Sequence, residues 1–233
     1  MINRIERGGA IAEGLAASGP VCLGYIPIGI AFGVLAQKAG FTPLETGIMS
    51  LLVFAGSSQF IAVSMFSAGA GAVSIIVTAF VVNLRHLLMS SSLSLFLGRA
   101  ERKKLFAFAY GITDESFAVN ISKFKNEGWD IDRALAVNFS SNIAWIISTV
   151  AGGYFGQFIK PHSFGIDYAL PAMFICLLVY QLKGRIYVFT ALFAGAFAVL
   201  LSLVLPGNSY VIIASAVAAA AGVVVKKRAR EGL

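Results

Sequence analysis

The sequence is short of charge, cysteine and histidine. Of its 233 residues only 12% are Asp, Glu, Lys or Arg, and just 11 are acidic, against roughly 25% charged residues in an ordinary soluble domain. The two cysteines, Cys22 and Cys176, lie inside apolar stretches with neither disulfide nor metal spacing. They read as small buried residues, and no redox chemistry, metal site or cofactor is indicated. His162 falls in a loop and is assigned nothing. The chain also lacks a Gly-x-x-x-x-Gly-Lys-Ser/Thr phosphate loop, a His-Glu-x-x-His metal helix and a Gly-x-Ser-x-Gly nucleophile elbow. These absences argue against an ATP-driven pump and against an enzyme.

What fills the chain instead is apolar. Hydrophobic residues make up 58% of it and the mean hydropathy is +0.83. Such a composition suits a chain whose second solvent is a bilayer. Residues 15–37, 44–66, 70–97, 134–159, 186–206 and 209–225 are long stretches almost free of charge, and about 20 such residues cross a hydrocarbon core as a helix. Stretches 105–121 and 168–182 are shorter. No alternation with the period of barrel strands runs through the chain. The prediction is an all-α, polytopic integral membrane helical bundle of six to eight transmembrane segments, forming one domain over residues 1–233. The apolar stretch after the basic start is interrupted by Glu13 and Gly19-Pro20, so no cleaved signal peptide is expected.

The net charge of +7 is unevenly placed. Arg99, Arg102, Lys103 and Lys104 fill one loop, and Lys226, Lys227, Arg228 and Arg230 crowd the tail, whereas the connections near 67–70 and 206–209 carry no basic residue. That is the positive-inside pattern, not a nucleic-acid surface. It predicts a cytoplasmic tail at 226–233 and, through Arg4 and Arg7, a cytoplasmic N-terminal segment at 1–14. A conflict follows, because three simple crossings would carry the basic loop at 99–104 to the opposite side. Either 44–66 and 105–121 are re-entrant or broken, leaving six full crossings, or all eight cross and a basic loop lies outside.

Local composition favours the first solution. Gly24-Tyr-Ile-Pro27-Ile-Gly29, Gly56-Ser57-Ser58-Gln59 and Gly111-Ile-Thr113-Asp114-Glu115 each place helix-interrupting or polar residues inside an apolar stretch. Broken backbone is tolerated at membrane depth only inside protein or along a cavity, and in secondary transporters such half-helix ends hold substrate and coupling ions. Packing contacts between helices use the same residue types. A loose match of Ser57-Ser58-Gln59 with Ser140-Ser141-Asn142, each running on to a Gly-rich end, suggests an inverted repeat.

The charges inside the spans are the sharpest signal. Arg85 and His86 interrupt the third stretch, and Asp114 and Glu115 lie in the short one; each must face protein or water and find a partner. Two readings stand: an Arg85 pair with Asp114 or Glu115 that only joins helices, or a site in which one carboxylate carries a coupling proton. His86 suits a proton relay or a buried hydrogen bond. Asn83, Asn138, Asn142, Ser57, Ser58 and Gln59 are hydrogen-bonding side chains that serve packing or ligand.

Taken together, Pro27-Ile-Gly29-Ile-Ala-Phe32-Gly33, Met49-Ser50, Val53-Phe-Ala-Gly-Ser-Ser-Gln59-Phe60, Asn83-Leu-Arg85-His86, Thr113-Asp114-Glu115 and Asp167-Tyr-Ala-Leu-Pro171-Ala-Met-Phe174 resemble the AzlC family, also called the BrnF or YgaZ type. The resemblance implies the large permease subunit of a branched-chain amino acid exporter of the bacterial inner membrane. It implies proton-motive-force-driven export of leucine, isoleucine, valine and methionine, and a small AzlD-type (BrnE/YgaH-like) hydrophobic partner. The alternatives are a structural membrane subunit or a channel for another small solute. As a hypothesis, Arg85 or a broken helix end receives the substrate carboxylate, Asp114 or Glu115 the ammonium, and Phe32, Phe54 and Phe60 line the aliphatic pocket.

Overall fold

The computed structural model describes residues 2–98, 100–126, 128–158, 184–204 and 217–225, with single positions between them. The expectations for Asp167, Pro171, His162, Cys176, the 206–209 connection and the basic tail lie outside the described residues. Four of the described helices are long and apolar enough to cross a membrane: Gly9–Lys38, Ala72–Ser94, Ile131–Phe158 and Arg185–Ser202. The chain divides into two compact units, Met1–Leu170 and Pro171–Leu233.

In the first unit, helix α1 (Ile2–Lys38) lies along α7 (Ile131–Phe155) for most of its length. The two run parallel. Glu13 meets Arg133 at 2.6 Å, Ser140 donates to Ser18 at 2.7 Å, and the Ser148 hydroxyl approaches the Tyr25 carbonyl at 3.3 Å. Farther along, a Cβ on Gly33 would meet the Thr149 carbonyl and lie 2.5 Å from the Gly153 amide, and Val34 backs onto Gly156. Between helices in lipid there is no hydrophobic drive, so close approach of small residues and interhelical hydrogen bonds hold the pair. The expected interruption at 24–29 does not occur, and α1 continues through Pro20 and Pro27. Pro27 turns outward while Gly29 is pressed on Ser148 of α7. A neighbouring helix and a serine hydroxyl are the supports that let a membrane helix tolerate proline.

Two other apolar stretches do break. Stretch 44–66 becomes α2 (Pro43–Leu52) and α3 (Gly56–Ser67), and 105–121 falls in α5 (Arg102–Tyr110) and α6 (Asp114–Asn126). None of the four is long enough to cross; 13 residues rise only about 20 Å, against a core of about 30 Å. Their contacts show where each pair goes. Helix α2 starts from a Thr42–Glu45 capping box beside Gly153 and descends along α7, Gly47 against Val150 and Ser50 hydrogen-bonded to Thr149 at 2.9 Å. The chain turns at 53–55, Gly56 lies over the Trp145 ring, and α3 climbs back until Phe66 stacks edge-on to Phe41, ring centroids 5.1 Å apart. This hairpin enters and leaves by one face.

Helix α4 (Ala72–Ser94) then crosses to the other face, where Leu93 and Leu97 join Phe108, Ile112 and Ala134 in a buried cluster. Helix α5 leaves that face with Lys104 paired to Asp132, reaches mid-depth at Tyr110, and turns at 111–113. Helix α6 returns to the same face, with Asn120 donating to Asn138 at 3.0 Å and Phe124 stacked on Phe96 at 5.4 Å. The two re-entrant hairpins thus come from opposite faces. The sequence conflict over the basic loop is thereby removed: residues 100–104 lie on the face of Glu13 and Arg133, because stretches 44–66 and 105–121 each fold back as two short helices. Ser140-Ser141-Asn142 sits within unbroken α7 and opens no half-helix, unlike Ser57-Ser58-Gln59 at the start of α3.

In the second unit, α8 (Arg185–Ser202) carries a ladder of stacked Phe189, Phe193 and Phe197, and Gly222 of the helical segment 217–225 packs on Thr190.

Candidate functional site

The two hairpin tips meet at mid-depth. Tyr110, last residue of α5, donates its hydroxyl to the Leu51 carbonyl in the last turn of α2 and lies 6.4 Å from the Phe54 ring. Asn142 of α7 reaches the same hydroxyl at 3.4 Å. Beyond each tip a helix begins, so the amino ends of α3 and α6 both point their unsatisfied N–H groups and positive dipole ends into the centre.

The two amino ends are dressed differently. Helix α6 has an internal cap: the Thr113 amide donates to Ser116 Oγ at 2.8 Å and the Ser116 amide donates to Thr113 Oγ1 at 3.2 Å. It also carries Asp114 and Glu115 in its first turn, which offset its dipole. Helix α3 starts at Ala55, which makes no side-chain cap, and no acid sits in its first turn. The positive end left without a resident carboxylate is that of α3.

Arg85 on α4 spans the two. Its Nη1 lies 2.9 Å from Asp114 Oδ2 and its Nη2 donates to Ser57 Oγ in the first turn of α3. About a quarter of each charged side chain remains accessible. The Arg85 Nε and Asn83 Oδ1 atoms are buried with no hydrogen-bond partner, an arrangement with binding capacity in hand. Asn83 also donates to Ser58 Oγ at 3.1 Å, and Ser58 in turn donates to the Ala55 carbonyl at 3.1 Å. His86 is half-buried beside Arg85.

Of the residues singled out in the sequence, Ser57, Ser58, Asn83, Arg85, Asp114 and Glu115 are brought to this centre. Gln59, Pro27 and Gly29 are not. Both ends of the fully buried Gln59 amide are used: Nε2 donates to Ser50 Oγ at 3.1 Å, and Oε1 accepts from Trp145 Nε1 at 2.9 Å. It fixes the indole instead of facing a ligand. Phe32 and Phe60 are likewise fully buried, in ring contact with each other at 5.1 Å, with Phe32 stacked on Trp145 at 6.0 Å. They support the wall; Phe54, at the break itself, stands in it.

Sequence reasoning missed Tyr25, Tyr110 and Trp145. Tyr25 is buried on α1, edge-on to Trp145 at 5.3 Å and to Phe54 at 6.2 Å. Its hydroxyl is 2.7 Å from Thr113 Oγ1 and donates to Glu115 Oε2 at 2.7 Å. A phenol within an apolar stretch needs a polar partner, and that need was the available signal. The arrangement offers a cation, a free helix start, two carboxylates and aromatic surface within one buried centre. No group of three or more His, Cys, Asp or Glu able to hold a metal occurs among the described residues.

Comparison with known proteins gives a consistent picture. The family model described as AzlC protein matches residues 20–159, the segment that holds the second half of α1, both hairpins, α4 and α7. The chain is 34% identical over 195 residues to the inner membrane protein YgaZ of Escherichia coli, covering 80% of this chain and 79% of that one. It is 27% identical over 197 residues to the branched-chain amino acid transport protein AzlC of Bacillus subtilis, covering 83% and 76%. An uncharacterized membrane protein of Archaeoglobus fulgidus is 33% identical over 203 residues, covering 84% and 87%. No solved structure matches the chain significantly.

Proposed function

The chain belongs to the AzlC family, a family of membrane transport proteins, and from that premise we propose that it is the large permease subunit of a branched-chain amino acid exporter. Its cargo is leucine, isoleucine, valine and methionine. Export is driven by the proton motive force, in company with a small AzlD-type hydrophobic subunit, across the bacterial inner membrane. The basic residues on the face of Arg133, among them Arg102, Lys103, Lys104, Lys123 and Lys125, support placing that face and the N-terminus in the cytoplasm, and the basic run Lys226, Lys227, Arg228 and Arg230 supports the same side for the C-terminus.

The observation that carries the reading is the bridge from Ser57 through Arg85 to Asp114 between two half-helix starts. A zwitterion matches it with a definite polarity. Its carboxylate takes Arg85 and the amino end of α3, where no resident acid competes; its ammonium takes Asp114. The substrate thereby replaces the Arg85–Asp114 contact and leaves neither charge unpaired, which matters because each unpaired charge at membrane depth costs several kcal/mol. The aliphatic side chain lies against Phe54 and its neighbouring rings. Opposed hairpins, one from each face, supply the elements that can open the centre to one side at a time.

Reconstituting the chain and its small partner in proteoliposomes and following exchange of labelled leucine tests the proposal. Exchange competed by isoleucine, valine and methionine but not by lysine or glutamate is expected. Stable insertion without exchange of any of the four amino acids contradicts it.

A further inference from the structure

Two carboxylates share the first turn of α6, but they are held in different ways. Asp114 is paired with Arg85 at 2.9 Å. Among the described residues Glu115 forms no ion pair; its hydrogen-bond partner is the buried Tyr25 hydroxyl at 2.7 Å. A proton placed on Asp114 would strip Arg85 of its counter-charge. A proton placed on Glu115 removes an uncompensated charge from the centre. The charged and titratable groups around Glu115 are Tyr25 from α1, His86 from α4 and Asp114 on its own helix, with Arg85 of α4 held by Asp114 and Ser57. On the facing stretch of α7, residues 134–153, there is no titratable side chain.

We infer that Glu115, and not Asp114, is the proton-carrying group of this centre, and that Tyr25 is the positioning residue that converts its protonation into a change of hydrogen-bond direction. The inference rests on the transport reading for its purpose but not for its test. With Glu115 ionised, the Tyr25 O–H donates to the carboxylate and its oxygen is free to accept from Thr113 Oγ1–H. When Glu115 takes up a proton, its own O–H donates to the Tyr25 oxygen, and the phenol proton turns to Thr113 Oγ1, also 2.7 Å away. Nothing is transferred beyond the one proton on the carboxylate. Thr113 is the cap of α6, so the reversal reaches the turn at 111–113 on one side and α1 on the other. The phenol is held for this by the Trp145 and Phe54 rings, and Trp145 is fixed by Gln59. That chain of contacts links the proton site to the α2–α3 hairpin without passing through the Arg85–Asp114 pair.

Infrared difference spectroscopy of the purified full chain with its small partner in lipid, taken between acidic and neutral pH, tests the assignment. A carboxylic-acid C=O band is expected that disappears in Glu115→Gln, survives in Asp114→Asn, and returns displaced in Glu115→Asp. In Tyr25→Phe the band should remain but move to higher wavenumber, since the phenol hydrogen bond is gone. A band that persists unchanged in Glu115→Gln, or vanishes in Asp114→Asn alone, overturns the inference, and a band indifferent to Tyr25→Phe overturns the role of the phenol. In proteoliposomes, Glu115→Gln should also abolish accumulation of leucine driven by a pH gradient. If the wild-type pair moves no leucine the cargo is wrong, and the infrared result still decides the proton site.

Discussion

If Arg85 and Asp114 form the zwitterion site, removing both charges should spare the fold and destroy binding; if they only join helices, it should spare both. The two side chains are about three-quarters buried and 2.9 Å apart. Neutralising one strands the other, a loss of about 3–5 kcal/mol for a fully buried pair. The residual exposure and the Ser57 contact to Arg85 reduce this to about 2 kcal/mol. Arg85→Gln and Asp114→Asn should each lower the unfolding midpoint in detergent, and the double variant should recover most of the loss, since no charge is left unpaired. Binding should not recover. Each charge-assisted contact to substrate contributes about 1.5–3 kcal/mol, so each single variant weakens leucine binding by roughly 10- to 100-fold. The double variant should bind more weakly still. Scintillation proximity binding of labelled leucine beside thermal unfolding of the same samples reads both quantities. A double variant that is stable and binds leucine like the wild type refutes the site and leaves a structural ion pair.

Three further outcomes follow from the packing. Gly33→Ala forces a methyl group onto the α7 backbone beside Thr149 and Gly153 and should cost about 1–3 kcal/mol of stability by thermal unfolding, whereas Gly24→Ala, whose added carbon meets no atom of another helix within 4 Å, should cost nothing measurable. Gln59→Leu leaves the Trp145 N–H without its acceptor and should cost about 1–3 kcal/mol and change the tryptophan emission, while Gln59→Glu, which keeps an acceptor, should hold the emission near wild type. In a chain with Cys22 and Cys176 replaced by serine, Phe41→Cys with Phe66→Cys should cross-link through a short bifunctional reagent, because these rings are 5.1 Å apart; no cross-link is expected if 44–66 crosses the membrane.

The parts legible in the sequence were those governed by composition over many residues. The long apolar stretches that became α1, α4, α7 and α8 were readable because a hydrocarbon core demands their length. The re-entrant character of 44–66 and 105–121 was readable because three crossings conflicted with the basic residues at 99–104. That Arg85 needs a partner, Asp114 or Glu115, followed from the cost of an isolated charge; that the partner is Asp114 came from the structure. What was not legible depended on which face a residue presents. Pro27 looked like a break but sits on the outer side of a helix supported by α7, and Gly29 serves the contact with Ser148. Gln59 looked like a ligand but is consumed by Ser50 and Trp145. Tyr25 and Trp145 were indistinguishable from lipid-facing or core aromatics, because nothing local to their sequence reports the hydroxyl, amide or carboxylate that reaches them from more than 80 positions away.

The most direct test of the transport claim is to feed cells hydrophobic dipeptides and follow internal and external leucine, isoleucine, valine and methionine, with the chain and its small partner expressed together or absent. The account predicts that expression lowers the internal pools and raises the external ones, and that a protonophore removes the difference. Unchanged pools in cells where the pair is stably inserted contradict it.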